Sequence, residues 1–484
     1  MPYGNGTGLT LDLASHGSHG QASPFYVSDD GRYLCSPKSP FSLSIGTDGN
    51  LEAEGMNLLA GKGEGTLKSG YQKACWRYFP PTGKCPPAIF FSKPQFSTWM
   101  EYFYDLDQEK VLAFATRILE EGYQPGIFII DDGWMSFYGS FEFDLSRFPD
   151  PGKLIRNLHE MGFVVLVWAS PFVSTDSVAF RNLEDGAVLL KDKDGEIAIR
   201  RWWNGCSALV DLTGTEGQDW MSARLTHLHD DFGIDGFKFD GGDQCYYHDD
   251  DQPGIPAVLQ SKAYGEFCTR YPYNEVHSCY DTGGRELVQS MCDVRHSWSE
   301  RGGIASLVPY ALAAGLMGYW YFCPGMVAGG QYLDFTPEGD CVDEELFIRF
   351  AQCAALMPMI QFSAAPWRLL SAEGRKLCLD AAMLHQRFAP YICEEAKKTS
   401  LDCSPLVRSL YYEFGDEEYL EANDQFLVGS ELMVAPILRK GQIAREVIFP
   451  PGVWEGDDGS IISGKRRRTV MAPLERLPYY RRLL

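Results

Sequence analysis

The sequence predicts a (β/α)8 barrel, an α/β fold, with a short β-rich domain before it and a β-sandwich behind it. Three observations carry this reading. Apolar strands alternate with amphipathic helices over about 300 residues, the length such a barrel needs. Several of those strands end in acidic or polar side chains. The segments on either side lack the alternation and read as short strands separated by Gly, Pro and Asp turns. A chain of 484 residues is too long for one compact domain. The expected division is 1–95, 96–398 and 399–484.

In the first segment, residues 24–27 and 41–45 are strand-like, and Asp29-Asp30-Gly31 and Thr47-Asp48-Gly49 are turns. Helix pattern is scarce there. From residue 96 the period changes. Residues 107–122 place Val111, Leu112, Phe114, Ala115 and Ile118 on one side of a helix. A strand over 126–131, a helix over 152–161 and a strand over 163–168 follow. After a long loop come a strand near 208–212, a helix over 216–231 and a strand from 235. Further strands are expected near 274, 290, 318 and 357, which makes eight candidates. Residues 307–330 carry no charge, long enough to raise a membrane span. Pro309, Pro324 and several glycines break the stretch, so a buried helix feeding a core strand explains it better. After residue 400, runs at 425–428, 432–436 and 445–450 restore the strand pattern and suggest the sandwich.

The net charge of −22 argues against nucleic acid and anionic membranes as partners. The one basic run, Lys465-Arg466-Arg467-Arg468, reads as a solvated turn. The 14 cysteines lack CxxC pairs and regular spacing, which fits free, mostly buried thiols in a reducing compartment. Residues 1–5 show neither a basic nor an apolar leader region, and the chain is read as cytoplasmic. The loop Tyr246-Tyr247-His248-Asp249-Asp250-Asp251 offers metal-ligand types, but a solvated acidic loop is the simpler reading. No metal or organic cofactor is expected.

The chemistry centres on Asp235-Gly236-Phe237-Lys238-Phe239-Asp240-Gly241-Gly242-Asp243. Alternation puts Lys238 and Asp240 on one face of a strand, where each needs a counter-charge. Gly241-Gly242 lets a ligand approach the backbone. Asp131, Asp132 and Trp134 stand at the end of the 126 strand, His277 at the end of the 274 strand, and Asp293, Arg295 and His296 beyond the 290 strand. Several acids on one rim repel each other, and folding alone gives little reason for that. Paired carboxyls with aromatic neighbours suit glycoside hydrolysis, where a retaining mechanism places them about 5–5.5 Å apart.

GFKFDGGD, preceded by DDGWMSFYGSFEFDLSRFPDP and VVLVWASPFVS, resembles glycoside hydrolase family 31. Within it, the match is to the α-galactosidase-like branch of the myogenesis-regulating glycosidase and its bacterial relatives. RWWNG at 201–205, QFSAAPWR at 361–368 and DQFLVG at 424–429 match in the same order. The resemblance implies that Asp240 is the nucleophile and Asp293 the acid/base, with Glu300, which follows Trp298-Ser299, as the competing choice. It places Asp131, Asp132, Trp134, Trp202, Lys238, Asp243, His277 and Trp298 around the substrate. Lys238 would orient Asp240 and keep it ionised, or bind a substrate hydroxyl. Asp243 would read a hydroxyl or cap the turn. Trp202 would be a sugar platform or a core residue. Family α-glucosidases carry a His near Ser363 that contacts the sugar; its absence here puts α-glucosidase in doubt and favours an α-galactosidase-like site, while α-glucosidase, α-xylosidase and α-N-acetylgalactosaminidase stay open as alternatives. Arg301 and Gly325 fall where relatives have Asp, which keeps a non-catalytic sugar-binding protein in view. The short N-terminal domain implies a cleft that is open or completed by another subunit, so a homo-oligomer is considered beside a small oligosaccharide or glycoside substrate.

Overall fold

The computed structural model describes residues 8–13, 21–36, 39–183, 186–252, 254–335 and 342–483. Residues 1–5, read as carrying neither a basic nor an apolar leader pattern, lie outside them. Eight parallel strands form a nearly closed barrel. In chain order they are β1 (Gln95–Ser97), β2 (Ile127–Ile130), β3 (Val164–Ala169), β4 (Gly236–Phe239), β5 (Asn274–Val276), β6 (Val288–Ser290), β7 (Phe322–Cys323) and β8 (Gln361–Phe362). Each pairs with the next as far as β7, and β8 returns to pair with β1. A single parallel bridge between Met326 and Gln361 joins the two ends.

Two expected strands differ from this arrangement. The run near 208 is not a barrel strand. Gly205–Leu209 pairs antiparallel with Ile199–Trp202 and Phe172–Ser174 in a separate three-stranded sheet that projects from the loop after β3. The first barrel strand is instead Gln95–Ser97, too short and too polar to stand out, and it follows Pro94. The last two strands, expected near 318 and 357, begin at Phe322 and Gln361.

The helices follow local signals. Gln108–Glu120 starts where the Asp107 carboxylate accepts the Lys110 amide, and Pro151–Glu160 starts where Asp150 accepts that of Lys153. In the first segment, Leu67–Tyr78 is a helix that the composition did not announce. Thr66 and Ser69 form its capping box, and the buried face is Leu67, Gly70, Tyr71, Ala74 and Cys75. Two three-stranded antiparallel sheets precede it. The uncharged stretch after Ser306 is the buried helix Leu307–Leu316 feeding β7. Among the described residues no helix is long and apolar enough to cross a membrane.

The 31-residue helix Ala372–Asp402 runs past residue 398, so the β-rich C-terminal part begins after it. That part holds a six-stranded and a two-stranded sheet around Met433, Val447, Phe449, Trp454 and Tyr480. Its basic run lies largely in the exposed strand Arg466–Met471, where Arg467 pairs with Glu446; Lys465 pairs with Asp416 and Glu418. Each cysteine among the described residues is free, and most are buried.

The barrel interior is polar at its centre. Gln95, Lys238, Glu275, Gln289 and Gln361 are all buried. Gln361 Nε2 donates to Glu275 Oε2 at 2.9 Å and to Gln95 Oε1 at 3.1 Å. Lys238 Nζ donates to Asp131 Oδ2 at 2.8 Å, with both side chains buried. Phe237 and Phe239 face outward onto Tyr271 and Tyr264.

Two stability effects follow from this packing. Replacing Lys238 by Met strands the Asp131 charge in the interior, and the midpoint of urea unfolding should fall by the equivalent of about 3–5 kcal/mol. Gly242 has φ +71°, and an added Cβ would sit 2.3 Å from the Tyr264 ring. Gly242→Ala should cost about 2 kcal/mol in the same assay. An unchanged midpoint in either variant contradicts the corresponding role.

Candidate active site

The C-terminal ends of the barrel strands bring the polar residues into one mouth. Asp131 follows β2 and is saturated. Its Oδ2 accepts from Lys238 Nζ and from Ser97 Oγ at 2.7 Å, and its Oδ1 accepts the Asp132 amide at 2.9 Å. Its own amide donates to Thr98 Oγ1. Burial alone would lower the Lys238 pKa, but the charges of Asp131, Glu275 and Asp240 more than offset it and the value is raised.

Asp132 is different. Its Oδ2 accepts from Tyr138 Oη at 3.2 Å and from Asn204 Nδ2 at 3.0 Å, while its buried Oδ1 has no hydrogen-bond partner. Burial, then the neighbouring Asp131 charge, pushes its carboxyl up to about 7. Asn204 arrives from the turn of the hairpin between Ile199–Trp202 and Gly205–Leu209, and its Oδ1 accepts from Tyr104 Oη at 2.7 Å.

Asp240 follows β4. Trp168 Nε1 donates to its Oδ2 at 3.0 Å and the Gly241 amide to its Oδ1 at 2.8 Å. This corrects the expectation for Lys238: its hydrogen bond goes to Asp131, and two neutral N–H donors orient Asp240. The reason is register. Lys238 lies level with Trp168 on β3, and that indole reaches past it to the strand end. Asp293 lies just beyond β6, its side chain open to the solvent in the mouth. Surrounding protein nonetheless strips enough water from it that burial pushes its carboxyl up to about 6. Lys238 and His277 pull against this shift, while Asp240 and Asp131 add to it.

Gly330 makes room for Asp293. An added Cβ there would fall 2.3 Å from Asp293 Oδ1. His277 follows β5; burial alone would lower its pKa, but the charges of Asp243, Asp240 and Asp293 raise it. Asp243 is buried near it, and its side chain does not cap the short helical turn that follows. Gln21 of the N-terminal segment donates to the carbonyls of His277 and Ser290, so that domain does reach the mouth.

Trp134 and Trp298 stand elsewhere than expected, and Trp202 takes the second of its two readings, a core residue. Trp134 is fully buried, and its indole N–H donates to the Trp168 carbonyl at 2.9 Å. It supports Trp168 from behind and does not line the cleft. Trp202 lies flat on Phe172, with ring centroids 4.0 Å apart, and its N–H donates to Ser207; the exposed member of the pair is Trp203, at 47%. Trp298 donates to Asp343 Oδ2 and, with Glu300, lines a cavity of 650 Å³ against the C-terminal domain. Neither Asp240 nor Asp293 lines that cavity. His296 is spent on the Ala328 carbonyl and the Asp343 amide. In the acidic loop, Asp251 is buried against Arg200 and accepts the His248 amide, and Asp249 accepts the amide of Ala257. Of the potential ligand cluster His248, Asp250 and Asp251, these bonds engage the Asp251 carboxylate.

Sequence reasoning missed Trp168, Tyr104, Tyr138, Asn204, Glu275 and Gly330. The Asn204-Gly205 turn was the available signal for one of them, with Gly205 at φ +99°.

Comparison with known proteins bears on the family and the fold. Residues 86–296 match the glycosyl hydrolases family 31 TIM-barrel domain, and residues 403–483 match the C-terminal domain of that family. The myogenesis-regulating glycosidase of Mus musculus is 31% identical over 394 residues, covering 80% of this chain and 55% of the relative. The 1,3-alpha-isomaltosidase of Kribbella flavida is 26% identical, covering 69% and 49%. The chain thus spans about half the length of these curated relatives. Among solved structures, a dextranase of Flavobacterium johnsoniae complexed with glucose superposes with a TM-score of 0.84 at 19% identity, covering 98% of this chain and 63% of that one. The cycloalternan-degrading enzyme from Trueperella pyogenes gives 0.83 at 20% identity, covering 99% and 77%. With two domain models of one family matched in order along a barrel and a β-rich C-terminal domain, the chain belongs to glycoside hydrolase family 31.

Proposed function

We propose that the protein is a retaining, exo-acting α-glycosidase with α-galactosides as its preferred substrates. One observation carries the reading: two carboxyls near the ends of β4 and β6 are made unlike by their surroundings. Asp240 is gripped by two N–H donors, and Asp293 is pushed up to about 6. One is suited to attack, the other to give a proton.

In the first step an Asp240 oxygen attacks the anomeric carbon, the glycosidic bond breaks, and Asp293 transfers its proton to the leaving oxygen. The product is a glycosyl ester on Asp240 and an ionised Asp293. In the second step Asp293 takes a proton from water, the hydroxide oxygen attacks the anomeric carbon, and the ester bond breaks. Both residues return to their starting states. Asp132, whose buried Oδ1 has no hydrogen-bond partner, is placed to take a sugar hydroxyl, and His277 with Asp243 supplies a second polar wall.

The galactoside preference rests on the residues in and just after β8. Gln361 points into the barrel toward Glu275, and Ser363 Oγ accepts the Met100 amide, so neither presents a sugar-binding imidazole. The competing α-glucoside reading is favoured by relatives whose names are isomaltosidase and alpha-glucosidase. At Gly325, an added Cβ would meet nothing nearer than the Cys292 carbonyl at 4.0 Å, so the missing acid leaves open space there.

A panel of aryl α-galactoside, α-glucoside, α-xyloside and α-N-acetylgalactosaminide decides the substrate. The highest kcat/KM is expected on the galactoside; a higher value on the glucoside overturns that preference and leaves the chemistry standing. Sugar binding without turnover of any member would instead support a non-catalytic role. Asp240→Asn should lower kcat about a thousandfold or more. Because Asp293 acts in its protonated form, kcat/KM should fall as pH rises through about 6. Asp293→Asn, assayed on a substrate with a good leaving group, should lose that limb. Gly330→Ala should displace Asp293 and lower kcat about 10–100-fold, with little change in KM. Wild-type turnover in that variant would contradict the placement.

A further inference from the structure

We propose that the outer face of the Tyr332 ring is the platform for the first ring of the leaving group, with Phe103 as the positioning residue behind it. The inference rests on the glycosidase reading above and deepens it.

The leaving oxygen must lie at the acid that protonates it, so the leaving group extends along the wall that carries Asp293. That wall continues through Gly330. Its amide donates to the Val294 carbonyl at 2.9 Å, and its Cα leaves room for the Asp293 carboxyl. Two residues further on, Tyr332 opens the short 3-10 turn Tyr332–Phe335. The opposite wall is the loop after β1. Tyr104 donates to Asn204, which donates to Asp132, so this loop is tied to the sugar side of the mouth.

Phe103 joins the two walls. Its ring stacks on Tyr332 with centroids 4.1 Å apart and planes 10° from parallel. Trp99 and Tyr104 pack against it from behind, at 4.6 and 4.2 Å. Its backbone has φ +51°, a conformation that disfavours residues bearing a side chain. Three aromatic contacts hold it there. Tyr332 has no other aromatic partner among the described residues, and its ring is half-buried. A flat ring backed by a fixed one, between the Asp132 wall and the Asp293 wall, suits the apolar face of a neutral pyranose or aryl group.

The test compares kcat/KM on an α-linked disaccharide with that on the matching α-glycosyl fluoride, whose leaving group has no ring. Tyr332→Ala and Phe103→Gly should each lower the disaccharide-to-fluoride ratio about tenfold. Phe103→Gly accepts the positive φ, so its effect reports the lost ring. Tyr332→Phe keeps the face and should hold the ratio within about twofold. An unchanged ratio in Tyr332→Ala, or an equal fall in Tyr332→Phe, overturns the platform. A second arm works in an Asp240→Asn background. Calorimetry should show tighter binding of the disaccharide than of the monosaccharide, and Tyr332→Ala should abolish the difference; a difference that survives also overturns the platform. If the parent turned over neither substrate, the glycosidase reading would fail, and the binding difference would still decide the platform.

Discussion

The buried pair of Lys238 and Asp131 is the interaction on which the site depends. A lysine inside a barrel is costly to dehydrate, and it is held here by more negative charge than it can neutralise. Asp131 takes the direct hydrogen bond and is further fixed by Ser97 and by the Asp132 amide, which ties β1, β2 and β4 at one level. Glu275 stands level with Lys238 on β5, and burial, the largest influence on it, pushes its carboxyl up. The strand ends are therefore locked in register by a polar centre, with the outer aromatic layer of Phe237 and Phe239 packing against the helical ring. This centre contributes geometry more than net stability, since a buried ion pair of this kind roughly balances its own desolvation.

That geometry lets neighbouring carboxyls differ. Asp240 is held by Trp168 and Gly241 and keeps two hydrogen bonds to its charged form. Asp293 and Asp132 are dominated by burial and are raised to about 6 and about 7. The excess acid at the mouth is thus distributed by environment: part neutralised by Lys238, part held by N–H donors, part shifted toward the protonated form by burial. Trp134 lies one layer further back, fully buried, and fixes the Trp168 carbonyl. Trp134 and Trp202 are buried against other rings, while Asn204 bonds Asp132 and Gly330 lies against the Asp293 carboxyl.

How much of this was legible follows from which signals are local. Strand–helix alternation is local, so β2 to β6 fell close to their places, and Asp107 and Asp150 cap the helices they precede. Strand Gln95–Ser97 was missed because three residues, two of them polar, carry no period; the run near 208 was misassigned because an antiparallel hairpin and a buried parallel strand share the same apolar composition. The acids of the mouth were legible because carboxylates at strand ends have little structural excuse. Contacts between distant segments were not. Nothing in the sequence near Trp168 announces that its indole meets Asp240, or that Trp298 turns toward Asp343 and the C-terminal domain. Lys238 was placed on the correct face, but its partner lies on another strand, and alternation along one strand cannot choose between Asp131 and Asp240.

The central claim is that Asp240 is the nucleophile and that its neighbours Asp243 and Asp293 are not. Incubation with a 5-fluoro-α-galactosyl fluoride, followed by proteolysis and mass spectrometry, tests it most directly. The ring fluorine slows ester hydrolysis, so the intermediate accumulates. The account predicts one galactosyl-sized adduct on the peptide that contains residues 236–243, with fragmentation assigning it to Asp240. An adduct on Asp243 or Asp293, or fluoride release without any adduct under conditions of turnover, would contradict it.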